Sequence, residues 1–270
     1  MKTPLMLDTK RMAIHDGPGI RTTFFVKGCP LHCVWCHNPE SISPERQTAR
    51  FQHLCKHCAK CTMDEATCPT RALKFYGKPM TMDAIVAKAL EDKPFYDRTG
   101  GGVTLSGGEP LFFWEWTAEL LKRFKAEGLH TCLDTSLYAP PAAIDAVMPF
   151  VDMWLPDFKC DDDTTHQKFT GVSNKIIKKN LERLVAAKAK LEVRCLVVPG
   201  CTEDVSARYA YFDSLSIPRK DIVELEYFDY ARSKYQALGM PDTMPKKRDR
   251  KNVDKCVVER QGKELKTEKM

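Results

Sequence analysis

Two periods of apolar residues alternate along this chain, and the switches between them mark its elements. Arg21 to Lys27 is β-branched and aromatic and predicts a strand ending at Gly28. Thr81 to Glu91 has helical spacing at Ile85, Ala89 and Leu90, with Thr81 as N-cap. From there strands and helices take turns. Strands are expected at Val103 to Ser106, Leu129 to Thr135, Val151 to Lys159, Leu191 to Val198 and Asp221 to Glu226. Helices are expected at Phe113 to Glu127, Pro141 to Met148, Asn174 to Lys188 and Glu203 to Leu215. The third of these is strongly amphipathic, through Ile177, Leu181, Leu184 and Val185. Six strands with helical crossovers between most of them predict an α/β fold, a parallel sheet with helices outside, open or curled into a partial barrel. Residues before Arg21 read as a short leader, and residues 39 to 80 as the least regular stretch.

Length and composition narrow the class. The 270 residues suit one to two domains, and 43% hydrophobic with 29% charged residues is ordinary for a globular chain. No run approaches the ~20 apolar residues of a membrane helix, and the N-terminus lacks the apolar core of a secretory signal. The expected location is therefore cytoplasmic. The net charge of +6 is uneven: Lys246 to Met270 holds ten Lys/Arg against five Asp/Glu, leaving the other 245 residues at +1. Beyond Met240 the pattern gives way to charge and predicts a basic, mobile tail. Without interleaved aromatic residues it does not read as a nucleic-acid arm.

Twelve cysteines change the picture, because seven of them lie between Cys29 and Cys68. A disulfide scaffold would be shorter and exported, so clustered thiols point to metal or iron–sulfur ligation. Cys29, Cys33 and Cys36 form Cys-x3-Cys-x2-Cys. Three thiolates on one loop can bind three irons of a cubane and leave the fourth open to a substrate. Zinc is the alternative, with His32 or His37 as fourth ligand. Cys55, Cys58, Cys61 and Cys68 form Cys-x2-Cys-x2-Cys-x6-Cys-Pro, close to a ferredoxin run with three extra residues. One auxiliary 4Fe–4S cluster with four local ligands is expected there; a four-cysteine zinc site, or no metal, are the alternatives. His53 and His57 read as solvated loop residues. Cys132 and Cys195, on apolar strands, read as small core hydrophobes, and Cys160, Cys201 and Cys256 are not spaced as ligands.

The first cysteine group resembles the signature of the radical S-adenosylmethionine (SAM) enzymes, and the chain as a whole resembles their glycyl-radical-enzyme activating enzymes. The matching segments run in family order over residues 15 to about 240. They are His15-Asp16-Gly17-Pro18-Gly19-Ile20-Arg21, Cys36-His37-Asn38-Pro39-Glu40, Gly100 to Pro110, His130 to Thr135, Trp154 to Lys159, Thr170 to Asn174 and Arg194 to Gly200. The resemblance implies a partial (β/α)6 barrel over 1–38 and 81–240, a Cys-rich ferredoxin-like insertion at 39–80 and a basic tail at 241–270. It implies reductive cleavage of SAM at a 4Fe–4S cluster, and a 5′-deoxyadenosyl radical that generates a glycyl radical on a partner enzyme. A low-potential flavodoxin or ferredoxin would supply the electron, with no nucleic acid and no membrane involved.

The same resemblance assigns residues. Cys29, Cys33 and Cys36 would ligate the cluster that coordinates SAM. Trp35 would cover it, and Asn38, Gly107, Gly108, Glu109, Asp134, Lys159 and Arg194 would bind SAM. Gly107 and Gly108 would let the backbone approach it, Glu109 would meet its ammonium group and Arg194 its carboxylate. Asp134, Thr135 and Asp157 match the positions of a monovalent cation in relatives. No side chain is expected to act as a catalytic acid or base. Asp16-Gly17-Pro18-Gly19 reads as a tight turn without ligand contact. Phe228 stands where relatives usually carry a histidine. The rival readings are a radical SAM enzyme acting on a small molecule or on anaerobic ribonucleotide reductase, and a non-catalytic zinc or electron-transfer protein.

Overall fold

The strand expected at Arg21 forms with those limits, β2 (Arg21–Lys27), and six of its seven residues are buried. The structure, a computed structural model, describes residues 2–246. β2 pairs in parallel with β5 (Gly102–Gly107), which leads to β6 (His130–Thr135) and β7 (Met153–Pro156), also parallel. β8 (Val193–Val197) and β9 (Ile222–Glu226) form a parallel pair. Parallel bridges Trp154 to Leu191 and Asp157 to Arg194 join that pair to β7. The six expected strands thus lie side by side in chain order.

Helices α1 (Met82–Leu90), α3 (Trp114–Ala126), α4 (Pro141–Val147), α6 (Lys175–Ala186) and α7 (Ser206–Ser214) match expected ones. Thr81 caps α1 by accepting the Ala84 N–H at 3.2 Å. The core is the meeting of these helices with the sheet. Leu120, Leu121 and Phe124 of α3 and Leu181 and Leu184 of α6 are buried with Phe24, Leu105, Leu133 and Trp154 of the strands. Asn180 interrupts the α6 stripe and donates to the Leu137 and Ala139 carbonyls at 2.8 Å each, fixing the loop that follows β6.

Other elements depart from expectation. The leader is strand β1 (Leu5–Ala13), an antiparallel edge beside β2. Only Met6 and Ala13 of β1 are buried, so it shows little apolar alternation. The loop from β1 to β2 is half-buried to exposed, yet tied to the body by hydrogen bonds. His15 O accepts from Arg194 at 2.6 Å, the Asp16 carboxylate from Thr23 at 2.7 Å and the Pro18 carbonyl from Arg21 at 3.0 Å. Gly17 has φ +117°, and a Cβ there would lie 2.7 Å from Cys132 Sγ. Residues 39–80 contain an antiparallel hairpin, β3 (Gln47–Arg50) and β4 (Leu73–Tyr76), with the second cysteine group in its long connection.

Three further short helices are α2 (Lys93–Thr99), α5 (Asp163–Thr170) and α8 (Arg232–Ala237). Residues 241–246 are tied down, which corrects the start of the expected tail. Arg232 donates to Asp242 at 2.7 Å, Tyr227 to the Pro245 carbonyl at 2.7 Å, and Met244 is 5% exposed. The remainder of the expected tail, with Cys256, lies outside the described residues.

Candidate active site

At the carboxyl ends of these strands, where ligand sites of parallel α/β sheets gather, lies a cavity of about 480 Å³. That size is within the usual ~300–1,000 Å³ of small-molecule sites. Cys29, Cys33 and Cys36 open into it together with Trp35 and Asn38. Gly107, Gly108, Asp134, Thr135, Asp157 and Lys159 line it from the strand ends. Of the residues expected to bind the first cluster, SAM or the cation, all but Glu109 and Arg194, eleven in number, therefore line one cavity.

The cysteine loop is strapped on three sides. Gly28 and Cys29 donate to the Ser41 and Ile42 carbonyls at 2.7 and 2.9 Å. His32 and Val34 donate to the Thr170 and Phe169 carbonyls at the end of α5, at 2.8 and 2.9 Å. From the C-terminal side Tyr235 donates to the Cys36 carbonyl at 3.1 Å and Thr243 to that of Val34 at 2.9 Å. Trp35 is 3% exposed and packs beside Phe169, ring centroids 6.1 Å apart. Burial pushes the Cys36 thiol up to about 12, with the Cys33 sulfur adding to it, and raises Cys29 and Cys33 as well. Such thiols ionise only against a compensating cation, which is what metal ligation supplies.

Charge inside the cavity is arranged around two aspartates. Asp134 accepts from Ser106 at 2.7 Å and has Arg194 at 3.8 Å behind it. Burial raises its carboxyl above the usual range, against the pull of Arg194. Lys159 donates to Asp157 at 2.5 Å. Burial works against its charge, but Asp157 and the Cys33 and Cys29 sulfurs outweigh that and hold it above the ordinary lysine value. The other Asp157 oxygen is buried with no hydrogen-bond partner. Among the described residues no three His, Cys, Asp or Glu side chains converge as ligands of one ion would. Thiolates holding different irons of a cubane need not converge in that way.

Glu109 and Arg194 do not line the cavity, whereas Gly107 and Gly108 do. Glu109 is 1% exposed and accepts four hydrogen bonds. These come from the Leu111 N–H (3.0 Å), the Thr135 hydroxyl (2.6 Å), and the Ser136 N–H (2.7 Å) and hydroxyl (2.5 Å). It ties the β5 turn to the residues after β6. A Cβ on Gly107 would lie 2.3 Å from Val26 N, and one on Gly108 2.2 Å from Gly28 O. These glycines let β2 and β5 meet closely, a demand of the fold before any demand of a ligand. Arg194 likewise sits behind Asp134, donating to the His15 carbonyl at 2.6 Å.

Sequence reasoning missed Lys234 of α8. Its ammonium donates to the His37 carbonyl at 3.0 Å, to Asn38 Oδ1 at 2.9 Å and to Glu40 at 2.6 Å. Lys27, fully buried, holds the same segment from beneath through the Glu40 and Ser43 carbonyls and Gln47, at 2.6, 2.7 and 2.7 Å. An imidazole also reaches the corner where Phe228 replaces the usual histidine, since His37 Nε2 donates to the Phe228 carbonyl. Losing charged hydrogen bonds of this kind weakens a site about tenfold. Lys234→Met is accordingly expected to raise the Kd for SAM about tenfold with little change in iron content; unchanged affinity would leave Lys234 without that role.

The second cysteine group is more open. Cys58 and Cys61 are exposed, Cys55 and Cys68 half-buried. The Leu73 N–H lowers the Cys68 pKa most, joined by the Thr70 N–H and hydroxyl and the Ala72 N–H, against the opposing effect of burial. Cys132 and Cys195 are buried, 0% and 3% exposed, as core residues, and His53 and His57 are exposed.

Comparison with known proteins places this geometry. A family model described as a 4Fe-4S single cluster domain matches residues 15–178. A solved structure of SuiB from Streptococcus suis bound to S-adenosylmethionine superposes with a TM-score of 0.56 at 12% identity, over 89% of this chain and 46% of that one. The fold is thus the α/β fold of radical SAM enzymes. Similarity to curated proteins is narrower still. The chain is 36% identical to the (2S)-3-sulfopropanediol dehydratase activating enzyme of Klebsiella oxytoca, over 89% of this chain and 87% of that protein. It is 33% identical to the benzylsuccinate synthase activating enzyme of Thauera aromatica, over 88% and 83%. It is 34% identical to the pyruvate formate-lyase 2-activating enzyme of Escherichia coli, over 87% and 80%. The chain belongs to the glycyl-radical-enzyme activating enzymes. It is an enzyme that uses a 4Fe–4S cluster and SAM to generate a glycyl radical on a partner enzyme. No described helix is long and apolar enough to cross a membrane.

Proposed function

We propose that Cys29, Cys33 and Cys36 hold the SAM-coordinating cluster and that the cavity they share with Asp134, Asp157 and Lys159 is where SAM is cleaved. The observation that carries this is that one strapped loop presents all three thiols to a single cavity at the strand ends. When bound, the reduced cluster supplies the electron that splits SAM into methionine and the 5′-deoxyadenosyl radical. The chain's own part is to bind, orient and exclude water. Trp35, Leu31 and Phe228 present apolar surface to the cavity. Asn38, fixed by Lys234, offers a polar group beside Cys36. Lys159 keeps a cation between Asp157 and the thiols, which favours their ionised, ligating form. Gly107, Gly108 and Asp134 form the opposite wall, held from behind by Glu109 and Arg194. None of these roles is proton transfer.

The same proposal takes the six parallel strands as a partial (β/α)6 barrel and residues 39–80 as a Cys-rich insertion. Cys55, Cys58, Cys61 and Cys68 hold a second 4Fe–4S cluster; backbone N–H groups aimed at Cys68 suit a thiolate ligand. A monovalent cation at Asp134, Thr135 and Asp157 draws support from the unpartnered buried oxygen of Asp157. A low-potential flavodoxin or ferredoxin supplies the electron.

Iron counting and partner activation test the reading together. The anaerobically reconstituted chain is expected to hold about eight irons, and a variant with Cys55, Cys58, Cys61 and Cys68 all changed to Ala about four. With SAM and a reductant, the wild type should render a glycyl-radical enzyme cleavable by oxygen at one glycine. About four irons in the wild type, or bound zinc, would remove the second cluster. SAM turnover without partner cleavage would move the enzyme to another substrate.

A further inference from the structure

The electron that the reaction consumes must enter from outside, and the charge of the chain marks where. Residues 46–78 contain seven Lys/Arg (Arg46, Arg50, Lys56, Lys60, Arg71, Lys74 and Lys78) against Asp64 and Glu65, a net of +5. With that segment and Lys246 to Met270 removed, the rest of the chain stands at −4. Six of the seven cations are exposed, Arg50 being half-buried. None of the seven belongs to an ion pair among the described residues. The two acidic side chains are spent locally, Glu65 on the Phe75 N–H at 2.9 Å and Asp64 on that of Ala66 at 3.1 Å. Two large apolar side chains stand among the cations, Leu54 at 41% and Met63 at 47% exposure. Arg71 and Lys74 share a groove with Leu54 and with Ser233 of α8. Exposed apolar groups ringed by unpaired charge of one sign are the composition of a steered, transient protein interface.

We infer that this face, built on the hairpin β3–β4 and its cysteine-bearing loop, docks an acidic one-electron carrier protein; the inference rests on reading residues 39–80 as a cluster-bearing insertion. A carrier reduced at low potential presents an anionic centre, whether an iron–sulfur cluster on thiolates or a reduced flavin with its phosphate. A cationic face raises its encounter rate and orients it. One electron leaves the carrier and one enters the enzyme for each SAM cleaved; no bond forms between the two proteins. The docking face is mechanically joined to the active site. Ala237 of α8 packs with Ala49 and Tyr76 of the hairpin. On the same helix Lys234 and Tyr235 grip the loop of Cys36, Asn38 and Glu40.

The test uses the full chain, reconstituted anaerobically, with SAM cleavage driven either by dithionite or by a reduced acidic 4Fe–4S ferredoxin. Arg46, Lys74 and Lys78 are changed together to Glu, and in a second variant together to Gln. The ferredoxin-driven kcat/KM is expected to fall about 10- to 100-fold in the Glu variant and less in the Gln variant. Its dependence on ionic strength should flatten in both, while the dithionite-driven rate and the iron content stay within about twofold of wild type. An unchanged ferredoxin-driven rate overturns the inference. So does a loss of partner activation under dithionite, which would make the face a docking site for the glycyl-radical enzyme. A Gln variant that loses both rates together with its iron also overturns it, since the cations would then be structural. Failure of the underlying reading looks different: about four irons in the wild type with the ferredoxin-specific loss intact removes the second cluster and leaves the docking face.

Discussion

Changing Cys29, Cys33 and Cys36 together to Ala is expected to lower SAM cleavage by on the order of a thousandfold or more, to the background of the assay. Losing one outer-shell group near a metal typically costs about 10- to 100-fold, and these residues are the proposed ligands themselves. The measurement is electron paramagnetic resonance on the dithionite-reduced, reconstituted protein, with 5′-deoxyadenosine formation followed in parallel. In the wild type, adding SAM should change one part of the reduced signal. In the triple variant that part should vanish, and a signal indifferent to SAM should remain from the second cysteine group. The outcome that would overturn the assignment is a triple variant that still answers SAM. Single changes separate ligation from packing. Tyr235 donates to the Cys36 carbonyl, and burial pushes the Cys36 thiol up to about 12. Cys36→Ala should therefore lose cluster binding with little loss of thermal stability in the metal-free chain, because a neutral thiol that opens into the cavity is replaced by a smaller neutral group and leaves no new void in the core.

Strands β2, β5, β6, β7 and β8 were legible because each is a largely buried run rich in β-branched or apolar residues, and parallel strands covered on both faces read that way. β9 has no buried residue and was legible from Ile222, Val223 and Leu225. β2 begins and ends where its residues say it should. What was not legible falls into two kinds. β1 and the hairpin β3–β4 are short or edge elements whose partners, not their own periodicity, make them strands: Ala49 is paired with Lys74 across a long cysteine-bearing loop. The second kind is contact between distant positions. Lys234 and Asn38 are 196 residues apart, and nothing in either local sequence announces their 2.9 Å hydrogen bond. Glu109 shows a subtler limit. The turn and its glycines were visible, but not that Ser136, 27 residues on, would claim the carboxylate. The same holds for residues 241–246, which read as the start of a charged tail until Arg232 and Tyr227 are seen to bind them.

Glu109 carries the second large expectation, this time on stability. Glu109→Leu would leave the Leu111 and Ser136 N–H groups and the Thr135 and Ser136 hydroxyls without their acceptor in a fully buried place. Each unsatisfied group costs about 1–3 kcal/mol, and the hydroxyls can turn to relieve part of that, so a loss of about 3–5 kcal/mol is expected. At ~2–4 °C per kcal/mol for a chain of this size, Tm should fall by roughly 10 °C. Glu109→Gln retains one acceptor but turns an amide NH2 towards a donor, and should fall about half as far. The measurement is thermal unfolding of the metal-free chain under anaerobic conditions, followed by SAM affinity in the reconstituted protein. A tie between β5 and β6 predicts that Tm falls before any cofactor is added, and that SAM binding weakens as a consequence, because Thr135 and Ser136 lose their position in the cavity wall. A side chain whose work was to meet the SAM ammonium would give the reverse: unchanged Tm without cofactor and a selective loss of affinity. That pattern would return Glu109 to the cavity and require the turn after β5 to rearrange when SAM binds.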